Sequence, residues 1–110
     1  MPTGSALLDQ MNNLTILPNS LAIWGLGQMG IAIKGPDAVL YIDPCLTNVI
    51  EEIAGNWWYR AYPPPIAPET LTNVTFHLSS HEHGDHLDVQ TTEAMSKASP
   101  GARFVAPAWC

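Results

Sequence analysis

Residues 74–88 read VTFHLSSHEHGDHLD. Val74 to Ser80 is a short apolar run that predicts a β-strand, and it feeds directly into His81-Glu82-His83-Gly84-Asp85-His86. Four side chains able to ligate a metal therefore fall within six positions, on a loop leaving a strand end. Imidazoles two apart on an extended loop can project to the same side and grip one ion. Asp85 and His86 can turn back towards a second ion, and Gly84 supplies the backbone freedom that such a reversal needs. Imidazole plus carboxylate suits Zn²⁺ and also Mn²⁺ or Fe²⁺. The chain has 4 histidines, and three of them lie in this loop, so a coincidental polar loop is a poor explanation. A purification tag would be a consecutive run at one end. His77, flanked by Phe76 and Leu78 inside the strand, is expected to pack rather than to bind metal. Asp88 predicts the N-cap of a helix running to about Ala98 and stopped by Ser99-Pro100-Gly101. Arg103 to Ala106 predicts a last strand.

Upstream, three apolar segments predict strands: Leu21 to Trp24, the region of Ile31 and Ile33, and Val39 to Ile42, which ends at Asp43-Pro44. Leu14, Ile16 and Leu17 suggest a short edge strand, and nothing before them gives a reading. Asn48 to Gly55 predicts a short helix with Asn48 as N-cap, Glu51 completing a capping box and Gly55 ending the turn. An aromatic stretch follows (Trp57, Trp58, Tyr59, Tyr62), then Pro63-Pro64-Pro65, which favours polyproline II. The aromatics, like Trp24, are expected chiefly to fill a core under this long connection. The alternative is a wall or lid over a substrate, with Arg60 as the candidate substrate-binding residue that meets a phosphate. Strands dominate the first part and a β–loop–α–β order the second, so residues 1–110 read as part of one α/β (α+β) domain.

A competing motif is Gly25-Leu26-Gly27-Gln28-Met29-Gly30, which fits the G-x-G-x-x-G dinucleotide fingerprint after a strand. That reading requires a helix after Gly30 and a parallel second strand, and a parallel crossover takes a dozen or more residues. Gly35-Pro36 interrupts the chain too soon for such a helix, and Asp43 stands too close to serve as the ribose-binding acid. The glycines are expected instead to allow a bulge or tight packing between strands.

The chain has 110 residues, 46% hydrophobic and 13% charged, with a formal net charge of −6. That composition predicts a core-forming globular protein rather than a disordered one. Lys34, Arg60, Lys97 and Arg103 are scattered, so no basic patch suggests nucleic acid. Cys45 and Cys110 are too far apart for a zinc-finger spacing and read as reduced thiols. The N-terminus lacks the features of a signal peptide, and no apolar run approaches the roughly 20 residues of a membrane span. The expectation is a cytoplasmic protein without membrane contact.

The element H-x-H-x-D-H after an apolar strand resembles the signature of metallo-β-lactamase-fold hydrolases. The resemblance implies an αββα sandwich, of which this chain would be the N-terminal half. It implies a centre of one or two divalent ions (Zn or Mn) in which His81 and His83 bind the first, and Asp85 and His86 the second. Asp85 would also orient the nucleophilic water, which makes it the catalytic residue, and Asp43 would buttress the site from behind the ligands. The runs IWGLGQMGIAIKG, VLYIDP, PPPIAPETL, SHEHGDHLD and SPGARFVAP, from about Leu21 to Cys110, are similar to the L-ascorbate-6-phosphate lactonase-like branch. That branch implies a small-molecule substrate, a phosphorylated sugar lactone. Phosphodiesterases like the N-acylphosphatidylethanolamine-hydrolysing phospholipase D share the proline-rich segment before the histidines. The family's centre also takes a further histidine for the first ion, a bridging Asp and another histidine, all downstream. Residues 1–110 are therefore expected to be a fragment of a longer enzyme, with a non-catalytic metal-binding fragment as the alternative and self-association of the full-length protein left open.

Overall fold

A computed structural model describes residues 2–55 and 59–110. Trp57 and Trp58, half of the aromatic stretch, lie outside the described residues. The chain forms an α+β domain around one mixed five-stranded sheet. Helix α1 (Gly4–Asn13) leads into strands β1 (Ala22–Gly25), β2 (Ile31–Lys34) and β3 (Val39–Ile42). Helix α2 (Val49–Ala54), a 3-10 turn (Pro68–Thr70), β4 (Phe76–Leu78), helix α3 (Val89–Ala98) and β5 (Arg103–Val105) follow. The strands lie side by side in chain order; β1–β2 and β2–β3 are antiparallel, whereas β3–β4 and β4–β5 are parallel.

The stretch GLGQMG closes a hairpin. Gly25 pairs with Ile31 across β1 and β2, the Leu26 amide donates to the Gly30 carbonyl at 2.9 Å, and the Gly30 amide to that of Gly27 at 3.1 Å. Antiparallel pairing leaves no crossover helix, so the dinucleotide fingerprint has no structural counterpart here. Two of the glycines have local causes. Gly27 sits at φ 79°, where a side chain is strained, and a Cβ on Gly30 would stand 3.0 Å from Pro44 Cα and 3.1 Å from the Asp43 carbonyl oxygen. The hairpin is thereby pressed onto the end of β3.

Residues 14–17 form no strand. The chain instead opens with α1, whose Leu7 and Met11 are buried against Ala32 and Tyr41 of the sheet, beside Met95 of α3. Burying each such side chain stabilises by about 1.5–3 kcal/mol. The helix has no side-chain N-cap bond, but its C-terminal end is held from outside. Lys34 Nζ donates to the carbonyls of Met11 (2.6 Å), Asn12 (3.1 Å) and Leu14 (2.8 Å), placing a cation where the helix dipole favours one. Trp24 Nε1 adds a bond to Gln10 Oε1 at 3.0 Å.

The two faces of the sheet differ. Trp24, Ala32, Tyr41, His77 and Phe104 share one cross-strand row, which faces the helices. On the other face Ile23, Ile33, Leu40 and Phe76 form one row, and Ile31, Ile42, Leu78 and Val105 the next. None of these eight is buried, and Ile23 is 63% and Val105 52% exposed. A half-solvated sheet ordinarily alternates apolar with polar residues; here the outer face is apolar but for Arg103, which ends the first row beside Phe76.

Asp88 caps α3 as expected, its Oδ1 accepting from the amides of Gln90 (3.0 Å) and Thr91 (3.2 Å). The capping box at α2 does not form. Asn48 makes no side-chain cap bond, the Val49 amide donates to Thr47 Oγ1 instead, and the Glu51 carboxylate accepts the Arg60 amide at 2.7 Å. Cys45 is buried and Cys110 exposed, both as free thiols. Among the described residues no helix is long and apolar enough to cross a membrane.

Candidate metal centre

The C-terminal ends of β3 and β4 meet at one edge, and their parallel pairing puts Asp43 beside the loop that leaves β4. The Asp43 amide donates to the Leu78 carbonyl at 2.8 Å, one step beyond the Ile42–Leu78 pair. Asp43 adopts φ 49°, a left-handed conformation that aspartate tolerates better than most residues. This backbone reversal turns its carboxylate towards the histidine loop. Oδ1 accepts the Ser80 amide at 2.7 Å; Oδ2 accepts the Ser80 hydroxyl at 2.6 Å and His86 Nδ1–H at 2.8 Å. Burial alone would raise the Asp43 pKa, but the bonds from Ser80 and His86 outweigh it and hold the carboxyl below its ordinary value.

The loop itself is a tight turn in which the amides of His86 and Leu87 both donate to the His83 carbonyl, at 2.9 and 2.8 Å. Gly84 lies at its apex, where a Cβ would meet Ile50 at 3.3 Å and Ile53 at 3.8 Å, so α2 packs on the loop from the side. The turn draws the imidazoles together. His81 Nε2 and His83 Nδ1 are hydrogen-bonded at 2.9 Å, the ring centroids of His81 and His86 are 4.0 Å apart, and His86 Nε2 is 3.7 Å from Asp85 Oδ1. His81 Nδ1 is bonded to Ser80 Oγ at 2.9 Å.

All five residues singled out from the sequence (Asp43, His81, His83, Asp85 and His86) thus belong to one cluster. Among the described residues, however, no group of three or more His, Cys, Asp or Glu side chains stands ready to hold an ion. The donors come instead in two pairs. Ligands about 2.0–2.2 Å from a tetrahedral ion are about 3.3–3.6 Å apart. The 2.9 Å of His81–His83 is shorter than that span and the 3.7 Å of Asp85–His86 longer. Each pair would meet a divalent cation only after its side chains shift by a few tenths of an ångström, and neither pair is a complete site among the described residues. The carboxylate behind His86 is the partner that metal-ligating imidazoles usually have.

Ser80 was not foreseen, since a serine before a histidine carries no periodic or motif signal of its own. His77 is 1% exposed, its ring 5.0 Å from that of Phe104 and its Nε2 3.3 Å from Thr92 Oγ1; burial lowers its pKa. It belongs to the packing between sheet and α3.

Arg60 reaches back towards the same edge. Its Nη1 donates to the Cys45 carbonyl at 2.8 Å and its Nε to that of Tyr62 at 3.2 Å. Its Nη2 is buried with no hydrogen-bond partner among the described residues, close to Gly27, where a Cβ would be 3.2 Å away. Gln28, Tyr59, Ala61 and Tyr62 join Arg60 around a cavity of about 200 Å³. Tyr59 and Tyr62 are 66% and 61% exposed, so these two aromatics do not fill a core.

No protein-family model matches the chain. Over 70 residues it is 33% identical to a cytidine monophosphate-N-acetylneuraminic acid hydroxylase from Asterias rubens, a match covering 64% of this chain and 10% of that protein. Over 68 residues it is 32% identical to the protein of the same name from Danio rerio, covering 62% of this chain and 11% of the relative. The chain spans about a tenth of the length of the curated relatives it matches.

Proposed function

We propose that these residues form the N-terminal part of a metallo-β-lactamase-fold hydrolase that opens a phosphorylated sugar lactone of the L-ascorbate-6-phosphate kind. The observation that carries the reading is the Asp43–His86 pair within the His81–His83–Asp85–His86 cluster: a buried carboxylate fixes an imidazole whose other nitrogen faces Asp85. The uncovered apolar face of the sheet supports the αββα architecture, because a second layer would bury its two isoleucine-rich rows. Two donors per ion leave each ion short of ligands, so the working centre takes the remainder from protein beyond these residues.

The bound ion, Zn²⁺ or Mn²⁺, would lower the pKa of a water and polarise the lactone carbonyl. The chain's own part is positional. Asp43 holds His86 with Nδ1 protonated and Nε2 free to ligate. His81 and His83 offer the first pair of nitrogens. Asp85, 36% exposed at its side chain, is open enough to accept a hydrogen bond from the attacking water and orient it towards the carbonyl carbon. Arg60 is the candidate for the substrate phosphate, since its Nη2 has no acceptor among the described residues and the side chain lines the cavity beside Tyr59 and Tyr62.

The full-length protein loaded with Zn²⁺ or Mn²⁺ should release one proton per lactone opened. Asp85→Asn should lower kcat by about 10²-fold or more, and Arg60→Ala should chiefly raise KM for the phosphorylated substrate. Turnover by the Asp85→Asn protein equal to that of wild type would sink the reading.

The relatives' name supports a second reading, in which the cluster belongs to a protein acting on a nucleotide-linked sugar acid. Both substrates are phosphate-bearing sugars. Saturable binding of cytidine monophosphate-N-acetylneuraminic acid, without lactone opening, would favour this second reading.

A further inference from the structure

We infer that the Ser80 hydroxyl is a positioning group that carries the orienting effect of Asp43 to His81, fixing its Nδ1–H tautomer so that Nε2 is left to ligate. The inference rests on the metal-centre reading above but makes a separate claim about the protein before any ion binds.

The argument is one of hydrogen-bond polarity. A carboxylate only accepts, and Asp43 accepts from Ser80 N, Ser80 Oγ and His86 Nδ1. The single proton of the Ser80 hydroxyl is therefore committed to Asp43 Oδ2. What Oγ has left for His81 Nδ1, 2.9 Å away, is a lone pair. A hydroxyl that could otherwise donate or accept has been made a pure acceptor, so His81 Nδ1 must carry the hydrogen. In the neutral imidazole Nε2 is then an acceptor. It receives its bond from His83 Nδ1–H at 2.9 Å, and His83 must give up that proton before its Nδ1 can ligate.

One carboxylate thus sets two imidazoles, His86 directly and His81 through one oxygen. Asp43 has no direct bond to His81, so the hydroxyl is its link to that ring, whose other contacts are with the imidazoles of His83 and His86. Removing the hydroxyl leaves the Ser80 amide on Asp43 Oδ1, so the loop keeps its anchor to β3. The expected defect is in ring orientation and not in folding.

The test uses ¹⁵N-resolved NMR of the metal-free full-length protein, well above the usual histidine pKa of about 6.5, followed by Zn²⁺ titration. Wild type should show His81 as the Nδ1–H tautomer. Ser80→Thr should keep it, whereas Ser80→Ala and Ser80→Val (the last being the shape of threonine without its hydroxyl) should shift it towards Nε2–H. The same two variants should weaken Zn²⁺ binding by about 10-fold or more, within the range known for losing a ligand-orienting partner, with Ser80→Thr restoring it. An Nε2–H tautomer in wild type would overturn the inference on its own, whether or not the variants fold. Wild-type tautomer and affinity in Ser80→Val would overturn it equally. A wild type that has the Nδ1–H tautomer but binds no Zn²⁺ would uphold the relay and remove the metal reading.

Discussion

Two buried carboxylates organise this domain, and they are used differently. Asp88, 1% exposed, accepts only from amides and hydroxyls: Gln90 N and Thr91 N on Oδ1, Thr47 Oγ1 and Thr91 Oγ1 on Oδ2. Thr91 Oγ1 in turn accepts the Leu46 amide at 2.9 Å, so the network ties the start of α3 to the loop between β3 and α2. Asp43, 6% exposed, accepts from Ser80 and from the imidazole of His86, next to the partly exposed side chains of the histidine loop. An acid whose acceptors are filled by backbone and hydroxyl groups is part of the scaffold. An acid that holds imidazoles in one orientation is preparing them for something else.

The contrast is sharpest in what each acid's loss should do. Asp88→Ala removes a helix cap and strands the buried Thr91 hydroxyl and the half-buried Thr47 hydroxyl, which should cost about 2–4 kcal/mol of stability. Urea denaturation reads this as a lowered midpoint, and a shift under about 1 kcal/mol would remove Asp88 from the scaffold role. Asp43→Asn should do the reverse. Asparagine tolerates the left-handed backbone at this position, but it has one acceptor oxygen where the carboxylate has two, so its NH2 must face either the Ser80 amide or the Ser80 hydroxyl and His86 Nδ1. Zn²⁺ affinity should fall about 10- to 100-fold with a smaller loss of stability than for Asp88→Ala. If the two variants lose stability alike and Asp43→Asn keeps its metal, the distinction between the two acids fails.

A smaller effect concerns the core that both acids border. Tyr41 is buried, its hydroxyl donating to Asn73 Oδ1 at 2.8 Å, and burial pushes its pKa above the ordinary value while that bond offsets part of the rise. The unfolded chain then loses the Tyr41 proton first, so stability is fully present below about pH 10 and declines as pH rises beyond it. Tyr41→Phe should flatten that decline in urea midpoints taken between about pH 9 and 11. An equally steep decline in the variant would show that Tyr41 does not carry it.

Much of the sheet and nearly all of the cluster could be read from the sequence. The strands announced themselves by short apolar runs, and the spacing between Gly30 and Gly35-Pro36 was enough to set aside the dinucleotide fingerprint, although the hairpin that GLGQMG closes was not legible. The histidine loop was legible because its donors are contiguous, whereas Asp43 was placed only by the family resemblance, and the parallel β3–β4 pairing that brings it there had no signal of its own. Helix α1 was not legible: what closes its C-terminal end is Lys34, some twenty residues away, and Trp24 secures its flank. The capping box at α2 failed for a similar reason, since Glu51 binds the Arg60 amide across a connection that local pattern does not foresee. Ser80 escaped because its role depends on which atom its one proton faces, and that is fixed only once β3 and β4 are paired.

The central claim is that the histidine cluster holds a divalent cation, and it is tested most directly by metal content. Full-length protein purified without chelator should carry Zn²⁺ or Mn²⁺, and the His81→Ala/His83→Ala double variant, folded by circular dichroism, should lose most of it. Equal metal occupancy in the two proteins would contradict the account.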